Sequence, residues 1–237
     1  MTATPAAPLT EPVLAALRML DTPTVCNALE MVAPDRRGSG YTVEPFVCPR
    51  PDLAPMVGYA RTATIRAMQP SSRGAEGDRI ARLAHYAHQA EGPGPVITVI
   101  EDLDAIPGYG AFWGEVNTNL HKGLGSLGLI TNGSIRDLDD AATSFQMLAG
   151  MVNPSHAWVR VEEVAVTVTV HGMTVEPGDL IHADQHGAVV IPVAVAPAIP
   201  AAAAKIAAAE RILIEASQKP NFTIDILTEL MGGGPGH

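Results

Sequence analysis

The chain has 237 residues, a formal net charge of −10 and 47% hydrophobic residues. This length favours a single domain with a full apolar core. The acidic balance argues against a broad nucleic-acid surface, which needs clustered lysine and arginine. Cys26 and Cys48 are too few for a disulfide framework, and neither a secretory signal nor an apolar run of about 18 residues is found. We therefore expect a cytoplasmic protein that binds neither nucleic acid nor membrane.

The first half of the chain alternates predicted helices and strands. Helical apolar spacing and short apolar runs bounded by turn residues distinguish the two kinds of element. Predicted in chain order are helices over residues 11–20, 22–32, 78–89, 115–122 and 135–143, and strands over residues 58–68, 95–100, 127–131 and 146–151. Thr22 is the expected N-cap of the second helix, with Pro23 at its first position. The βαβαβ order favours an α/β domain with a parallel sheet and right-handed crossovers.

The second half changes character. Residues 164–170 alternate strictly, and the following turns predict a β meander with further strands over residues 173–175, 180–183 and 188–191. An alanine-rich helix is predicted over residues 200–217. Together these elements predict a flexible tail over residues 1–10, one domain over residues 11–217, and an extension over residues 218–237 with a glycine-rich end.

The pair Arg136-Asp137 is the first candidate for chemistry. It follows a predicted strand and an Asn132-Gly133 turn, which would place both side chains at the C-terminal edge of the sheet. A carboxylate beside an arginine stays ionised and can hold a hard cation, and the guanidinium can bind a substrate carboxylate. The alternative is a salt bridge at a helix N-terminus.

The second candidate is the glycine-rich turn that ends at Gly114 and Glu115. Its glycines allow the backbone close to a ligand, and Glu115 either contacts a metal-bound water or caps its own helix. Asn117 and His121 share a face of that helix and are expected to line the same pocket. Residues 123–128 match GxGxxG in letters, but they lead into a strand, which argues against a dinucleotide site.

Other histidines give weaker candidates. His182, Asp184 and His186 would share one face of a continuous strand, as in a metal triad, although the turn at 185–187 argues against it. His85 and His88 lie about one helical turn apart, and a partly exposed helix face explains them more simply. Neither cysteine lies in the sequence context of a nucleophile.

Three segments carry a family resemblance: GYGAFWGE, GLGSLGLITNGSIRD and VHGMTVEPGDLIHADQHGAVVIP. They resemble the RraA-like family, which includes metal-dependent 4-hydroxy-4-methyl-2-oxoglutarate aldolases, and the match spans roughly residues 22–215. Its most specific part is Glu115, twenty intervening residues, then Arg136 and Asp137. The resemblance implies a swivelling β/β/α-type sandwich, with a central β layer flanked by helices. It also implies a homotrimer or hexamer with active sites between subunits.

The resemblance also implies roles for residues. Asp137 would hold Mg²⁺ or Mn²⁺ mostly through waters, Arg136 would bind the substrate, and Glu115 would order metal-bound water. Backbone groups of residues 113–116, among them Gly114 and Val116, would cradle a pyruvate-like moiety. A carboxylate from the C-terminal helix of a neighbouring subunit would complete the site, with Glu210 placed ahead of Glu215.

The function implied is that of a class II pyruvate aldolase. It would cleave a 4-hydroxy-2-oxo acid to pyruvate, with oxaloacetate decarboxylation as a side activity. Two alternatives stay open: a non-catalytic regulator that binds a ribonuclease, and a lyase or hydratase for a sugar acid or ring-fission product. A methyltransferase is rejected, because no glycine-rich nucleotide loop follows the first strand.

The chain departs from the family pattern at several positions. Asn27 and Asn132 stand where the family commonly has Asp, and the helix after Glu115 is unusually polar. That helix predicts a substrate more hydrophilic than the family's usual one.

Overall fold

The computed structural model describes residues 8–232, so residues 1–7 of the predicted tail and residues 233–237 of the glycine-rich end lie outside it. Six α-helices are found in this range: α1 (Glu11–Arg18), α2 (Thr22–Val32), α3 (Gly74–Ala90), α4 (Glu115–Gly123), α5 (Ile199–Ser217) and α6 (Ile224–Gly232). The first five strands are β1 (Met56–Arg66), β2 (Val96–Asp102), β3 (Ala111–Trp113), β4 (Ser126–Ile135) and β5 (Gln146–Val152). The others are β6 (Arg160–Val164), β7 (Val168–Val170), β8 (Met173–Val175), β9 (Leu180–Asp184) and β10 (Gly187–Ile191).

Eight strands form one mixed sheet. Its path runs β10-β9-β1-β2-β4-β3, with β5 on the far side of β4 and β6 on the outer side of β1. The strands β1, β2, β4 and β5 are parallel, as the βαβαβ pattern predicts. β6 and β9 both pair antiparallel with β1, and β10 pairs antiparallel with β9. The predicted α/β fold, a central sheet flanked by helices, is confirmed. The division into a single domain over residues 11–217 and an extension stays a prediction.

The sheet is buried on both faces, which explains its continuous apolar strands. Helices α1, α2 and α5 cover β1, β9 and β10 through one apolar cluster. The β7–β8 hairpin covers the middle of the sheet through a second cluster. A third cluster lies under the site region and holds Trp113 and Phe145, which are fully buried or nearly so. No helix among residues 8–232 is long and apolar enough to cross a membrane.

The predicted turn at Asn132-Gly133 is wrong. β4 continues through both residues to Ile135, with an irregular register between Thr131 and Ser134. The Asn132 side chain takes the place of a backbone partner for β2: its Oδ1 accepts from Asp102 N–H at 2.7 Å, and its Nδ2 donates to Asp102 C=O at 3.0 Å. The amide thus stabilises a strand where the dipeptide alone predicts a turn.

The predicted helix over residues 135–143 is also wrong. Asp137 adopts the left-handed conformation with φ 53°, and Asp140 and Ala141 then donate backbone hydrogen bonds to its carbonyl. A left-handed residue stops a right-handed helix from forming there. The segment is therefore a turn, and Arg136-Asp137 does not open a helix of its own.

Smaller corrections concern element ends. Asp21, not Thr22, caps α2, since its side chain accepts from Thr24 N–H at 2.9 Å. Residues 164–170 form no single strand, because Ala165 has φ 57° and separates β6, in the main sheet, from β7 in the hairpin. The strand predicted over residues 95–100 continues to Asp102 as β2. β3 and α6 have no counterpart among the predicted elements.

Candidate functional site

A cleft of about 540 Å³ lies beside β3, the start of α4 and the turn after β4. Both candidate motifs open into it, although they are far apart in the chain. Its polar and charged lining consists of Ser71, Asp78, Arg82, Glu115, Asn117, Arg136, Asp137 and His156. Its other lining residues include Gly114, Val116 and Trp158. Five of the predicted site residues and the predicted metal ligand therefore share one cavity: Gly114, Glu115, Val116, Asn117, Arg136 and Asp137.

Asp137 is joined to the start of α4. Its Oδ2 accepts a hydrogen bond from Glu115 N–H at 3.2 Å, so the carboxylate caps a helix that begins 22 positions earlier in the chain. A Cβ on Gly114 would lie 2.4 Å from that same oxygen and 3.2 Å from Arg136 Cγ. Only glycine at 114 leaves room for the Arg136-Asp137 pair.

Arg136 is held through its backbone. Its N–H donates to the Trp113 carbonyl at 2.9 Å, which continues the pairing of β3 with β4. The side-chain nitrogen Nε lies 3.5 Å from Asp137 Oδ2, and the two side chains are 35% and 38% exposed. An ion pair this exposed contributes at most about 1 kcal/mol to stability. Both groups are thus free to exchange their contact for one with a ligand.

The residues present fit a hydrated divalent cation. Mg²⁺ and Mn²⁺ prefer carboxylate and water oxygens, and Asp137 and Glu115 supply two carboxylates to the same cleft. Within residues 8–232, no group of three or more His, Cys, Asp or Glu has the arrangement of a protein-ligated metal site. The arrangement therefore suits an ion held by Asp137 with waters in the remaining positions, as Mg²⁺ commonly is.

Asn117 lines the cleft, but its amide is used internally. Its Nδ2 donates to the Phe112 carbonyl, and its Oδ1 accepts from the Tyr86 hydroxyl at 2.7 Å. The side chain therefore braces α4 against both β3 and α3. These contacts fix the wall of the cleft and use one of the two N–H groups of the amide.

His121 does not line the cleft. It is fully buried behind the wall, where its Nδ1 donates to the Asn117 carbonyl at 2.7 Å, because a carbonyl oxygen can only accept. Its Nε2 must then accept from His85 Nε2, which lies 2.8 Å away. Burial lowers the pKa of His121 to about 4 and that of His85 to about 3. Both rings are therefore neutral at pH 7.

Glu210 lies in α5, which packs against α2 and α1. It is not among the residues that line the cleft of its own chain. A catalytic contribution from Glu210 would thus require a neighbouring subunit, and it stays a prediction.

His182 and Asp184 tie two distant parts of the fold together. The His182 ring lies 3.0 Å from Thr22 Oγ1 and within hydrogen-bond distance of the Leu17 and Leu20 carbonyls. Asp184 accepts from the backbone of Thr22 and His186. Both side chains are buried, and they fix the α1–α2 corner on β9. β9 ends at Asp184, and His186 lies beyond it in an exposed turn, so the three residues do not share one strand face as the metal triad would require.

Sequence reasoning missed the part of the cleft wall that comes from distant elements. Asp78 and Arg82 come from α3, and His156 and Trp158 from the loop before β6. No local motif links them to Glu115 or Arg136. The sequence signal for this wall is the spacing of Asp78, Arg82 and Tyr86, which lie four residues apart and therefore share one helix face.

Comparisons with solved structures agree with this architecture. A protein from gut-associated microbes, described among novel cellulases, has a TM-score of 0.71 at 16% identity, over 89% of this chain and 90% of that chain. Streptomyces coelicolor RraAS2, described as an unusual member of the RNase ES inhibitor RraA protein family, has a TM-score of 0.67 at 21% identity. That likeness covers 88% of this chain and 98% of RraAS2. An uncharacterised Pseudomonas syringae protein has a TM-score of 0.65 at 23% identity, over 90% of this chain and 96% of that chain.

No curated protein matches the chain significantly. The family model described as RraA-like, Aldolase/RraA, matches residues 22–190, which is more than half of the chain. The matched range contains β3, α4, β4 and the Arg136-Asp137 turn, and so all of the cleft's central residues. On this match the chain belongs to the RraA-like family.

Proposed function

We propose that the protein is a divalent-metal-dependent lyase that cleaves a carbon–carbon bond of a 2-oxo acid. The leading reaction is the retro-aldol cleavage of a 4-hydroxy-2-oxo acid to pyruvate and a second carbonyl compound. One observation supports it most: Glu115, Arg136 and Asp137 open into the same cleft, beside a glycine whose missing side chain leaves room for the pair. Membership of a family that includes aldolases is consistent with this reaction.

The proposal requires Mg²⁺ or Mn²⁺, with Asp137 as the residue that holds it. When bound, such an ion supplies a Lewis acid to the 2-oxo group and stabilises the negative charge that develops there. The backbone at Gly114 and Val116 borders the same space and would position the pyruvate half. The exposed carboxylate of Asp137 can reach a ligand without the cost of opening a buried ion pair.

Cleavage of the C3–C4 bond leaves its electron pair on C3 as the enolate of pyruvate. The C4 hydroxyl becomes a carbonyl, so its proton must go to a base. Glu115 is 22 positions from Asp137 in the chain, yet it lines the same cleft, and through a water it could take that proton. Arg136 would orient the departing half with its guanidinium. Glu210 of a neighbouring subunit is a second candidate base in the proposed homotrimer or hexamer.

The same enolate forms when the group lost from C3 is CO₂. Oxaloacetate decarboxylation is therefore the expected side activity, and it needs no base for a hydroxyl proton. A comparison of the two substrates separates the roles: loss of Glu115 should impair retro-aldol cleavage more than decarboxylation. Such a difference would identify Glu115 with proton transfer and not with general binding.

The direct test is turnover of oxaloacetate and of a 4-hydroxy-2-oxo acid, with Mg²⁺ and with EDTA. We expect pyruvate to form in both reactions only when the metal is present. Activity that persists in EDTA, no turnover of either substrate, or full activity in Asp137→Ala would contradict the proposal. Thermal unfolding of each variant shows whether a loss of activity reflects a loss of structure.

A second candidate function is regulation of a ribonuclease by binding. The relative Streptomyces coelicolor RraAS2 is described within an RNase ES inhibitor family, and exposed apolar residues such as Trp158 and Val116 border the cleft. A pull-down from cell extract distinguishes the two functions. A regulator should retain a large protein partner and turn over neither substrate.

A lyase or hydratase for a sugar acid or ring-fission product is the remaining alternative. This alternative rests on the polar residues of α4, of which Asn117 lines the cleft and Asn119, His121 and Lys122 do not. Asn119 donates to the Glu115 carbonyl at 2.8 Å, Lys122 to the Thr143 carbonyl, and Asn117 and His121 are engaged as described. These side chains stabilise α4 and its surroundings, and they do not argue for a more hydrophilic substrate.

A further inference from the structure

One face of α3 forms part of the cleft wall. Asp78, Arg82 and Tyr86 follow one another at intervals of four residues and so share this face. Asp78 accepts from Ser71 Oγ at 2.7 Å and from the Arg73 guanidinium at 3.2 Å. Tyr86 donates to Asn117. Asp78 and Tyr86, at the two ends of this series, therefore form hydrogen bonds with other residues of the protein.

The side chain of Arg82, which lies between them, forms no hydrogen bond within the described residues. Within the described residues it takes part in no ion pair, whereas Arg136, the other arginine of the cleft, is paired with Asp137. Its side chain is exposed and lines the cleft, as does the unpaired Glu115. A guanidinium offers five N–H donors in a fixed plane, which match a carboxylate in particular. Although Asp78, Glu115 and Asp137 also line the cleft, Asp78 is engaged by Ser71 and Arg73, and Asp137 by Arg136.

The position of Arg82 is fixed by the helix that carries it. On the adjacent inner face of α3, His85 and Gln89 are buried, and Gln89 Oε1 accepts from Thr98 Oγ1 of β2 at 2.8 Å. His85 Nε2 donates a hydrogen bond to His121 Nε2 of α4. The helix that carries Arg82 is therefore held in place on its inner face, while the exposed side chain of Arg82 lines the cleft.

We propose that Arg82 is a specificity-determining residue, which binds a second carboxylate of the substrate, remote from the 2-oxo acid end. This rests on the proposed function, in which the 2-oxo acid end lies at Gly114 and Asp137. Arg136, beside Asp137, then contacts the near part of the departing half, and Arg82 its far end.

Two ligands that differ only in the remote group test this by binding alone. 2-Oxoglutarate carries a carboxylate where 2-oxopentanoate carries a methyl group, and both can be titrated calorimetrically in saturating Mg²⁺. We expect the wild-type protein to bind 2-oxoglutarate about tenfold more tightly, the effect of one charge-assisted hydrogen-bonded pair at a partly exposed site. Arg82→Leu should remove this preference and leave 2-oxopentanoate binding unchanged, whereas Arg82→Lys should keep part of it.

Arg79→Leu is the matched control. Arg79 lies in the same helix, but it is paired with Glu76 at 2.6 Å and does not line the cleft. This variant should keep the wild-type preference. Equal binding of the two ligands by the wild type, a preference that survives in Arg82→Leu, or no binding of 2-oxoglutarate would overturn the proposal.

Light scattering of Arg82→Leu separates a role in binding from one in assembly. A changed oligomeric state with an unchanged ligand preference would assign Arg82 to a subunit contact and would also overturn the proposal. The test is independent of turnover. If the ligand preference depends on Arg82 but no 2-oxo acid is cleaved, the carboxylate site stands and the lyase function fails.

Discussion

Gly114 and Asp137 are packed so closely that a single added carbon would separate them. A Cβ on residue 114 would lie 2.4 Å from Asp137 Oδ2, well inside van der Waals contact. The backbone of Gly114 is extended, with φ −162°, a conformation open to any residue. The glycine is therefore required by the approach of the carboxylate and not by its dihedral angles.

Gly114→Ala should abolish or strongly reduce lyase activity with a limited loss of stability. The methyl group must displace the Asp137 carboxylate, which is proposed to hold the metal, and it also crowds Arg136. We expect catalysis to fall by on the order of 100-fold, since small displacements of catalytic groups have effects of this size. Metal affinity, measured by titration, should fall in parallel with turnover.

Gly123→Ala is the control for that substitution. Gly123 ends the same helix, and nothing lies within 4 Å of a Cβ built on it. Alanine there should keep activity and leave stability equal or slightly raised, because alanine favours helix over glycine. Wild-type activity in Gly114→Ala would show that the Asp137 carboxylate does not need its present position.

Asp137→Asn is a cleaner probe of the metal-holding group than Asp137→Ala. Asp137 has φ 53°, and asparagine adopts this left-handed region more readily than alanine does. The amide can still accept from Glu115 N–H, so the cap on α4 survives while the charge is lost. We expect metal-dependent activity to fall by about two orders of magnitude with little change in melting temperature. Unchanged metal affinity, measured by titration of Mn²⁺, would contradict this role for Asp137.

The sequence predicts those features of the site that neighbouring residues determine, and it does not predict those that depend on contacts between distant parts of the chain. The start of α4 at Glu115 and the buried run of β4 are local patterns, whereas it was the family resemblance that implied a single site for Glu115 and Arg136-Asp137. The course of the chain between them was not predictable in the same way. Asn132 is held in a strand by Asp102, which lies 30 residues away. Asp137 adopts the left-handed backbone conformation instead of the helical one, and its carboxylate caps α4, which comes earlier in the chain.

The wall of the cleft could not be predicted from the sequence either, because several of its residues come from distant elements. Arg82 and Trp158 reach the site only because α3 and the loop before β6 pack beside β3 and α4. Nothing near either residue in the sequence indicates that neighbourhood. His121 shows the converse: its spacing from Asn117 suggested a shared pocket, but the helix face it occupies is turned towards His85 and the core.

Asn132→Asp should destabilise the protein, although the two side chains have nearly the same size and shape. The Asn132 amide both donates to and accepts from the backbone of Asp102. A carboxylate cannot donate, so it would set a negative oxygen against the Asp102 carbonyl. We expect the free energy of unfolding to fall by about 1–3 kcal/mol, the cost of an unsatisfied and repelled polar group.

Urea unfolding of Asn132→Asp and Asn27→Asp measures this effect against a matched control. Asn27 is exposed on α2. Asn27→Asp should change stability by no more than about 0.5 kcal/mol, as surface substitutions commonly do. Equal stabilities for the two variants would mean that the Asn132 amide does not hold β2 and β4 together.

The buried His85–His121 pair should make stability depend on pH. Burial lowers the pKa of His85 to about 3 and that of His121 to about 4, from an ordinary value of 6.5. Between about pH 6.5 and pH 4 the unfolded chain binds protons that the folded chain does not, so stability is full above this window and is lost as the pH falls through it. Each histidine contributes at most about 1.4 kcal/mol per pH unit.

Replacement of one ring isolates this effect. His85→Leu should be less stable than the wild type at pH 7.5, because His121 Nε2 loses its donor. At pH 5 the deficit should shrink by about 1–2 kcal/mol, since the variant has one titrating histidine fewer. Gln89→Leu removes a buried polar group from the same helix without removing a titrating one, so its deficit should be the same at both pH values. A deficit in His85→Leu that is equally independent of pH would mean that His85 is protonated in the folded protein as readily as in the unfolded chain.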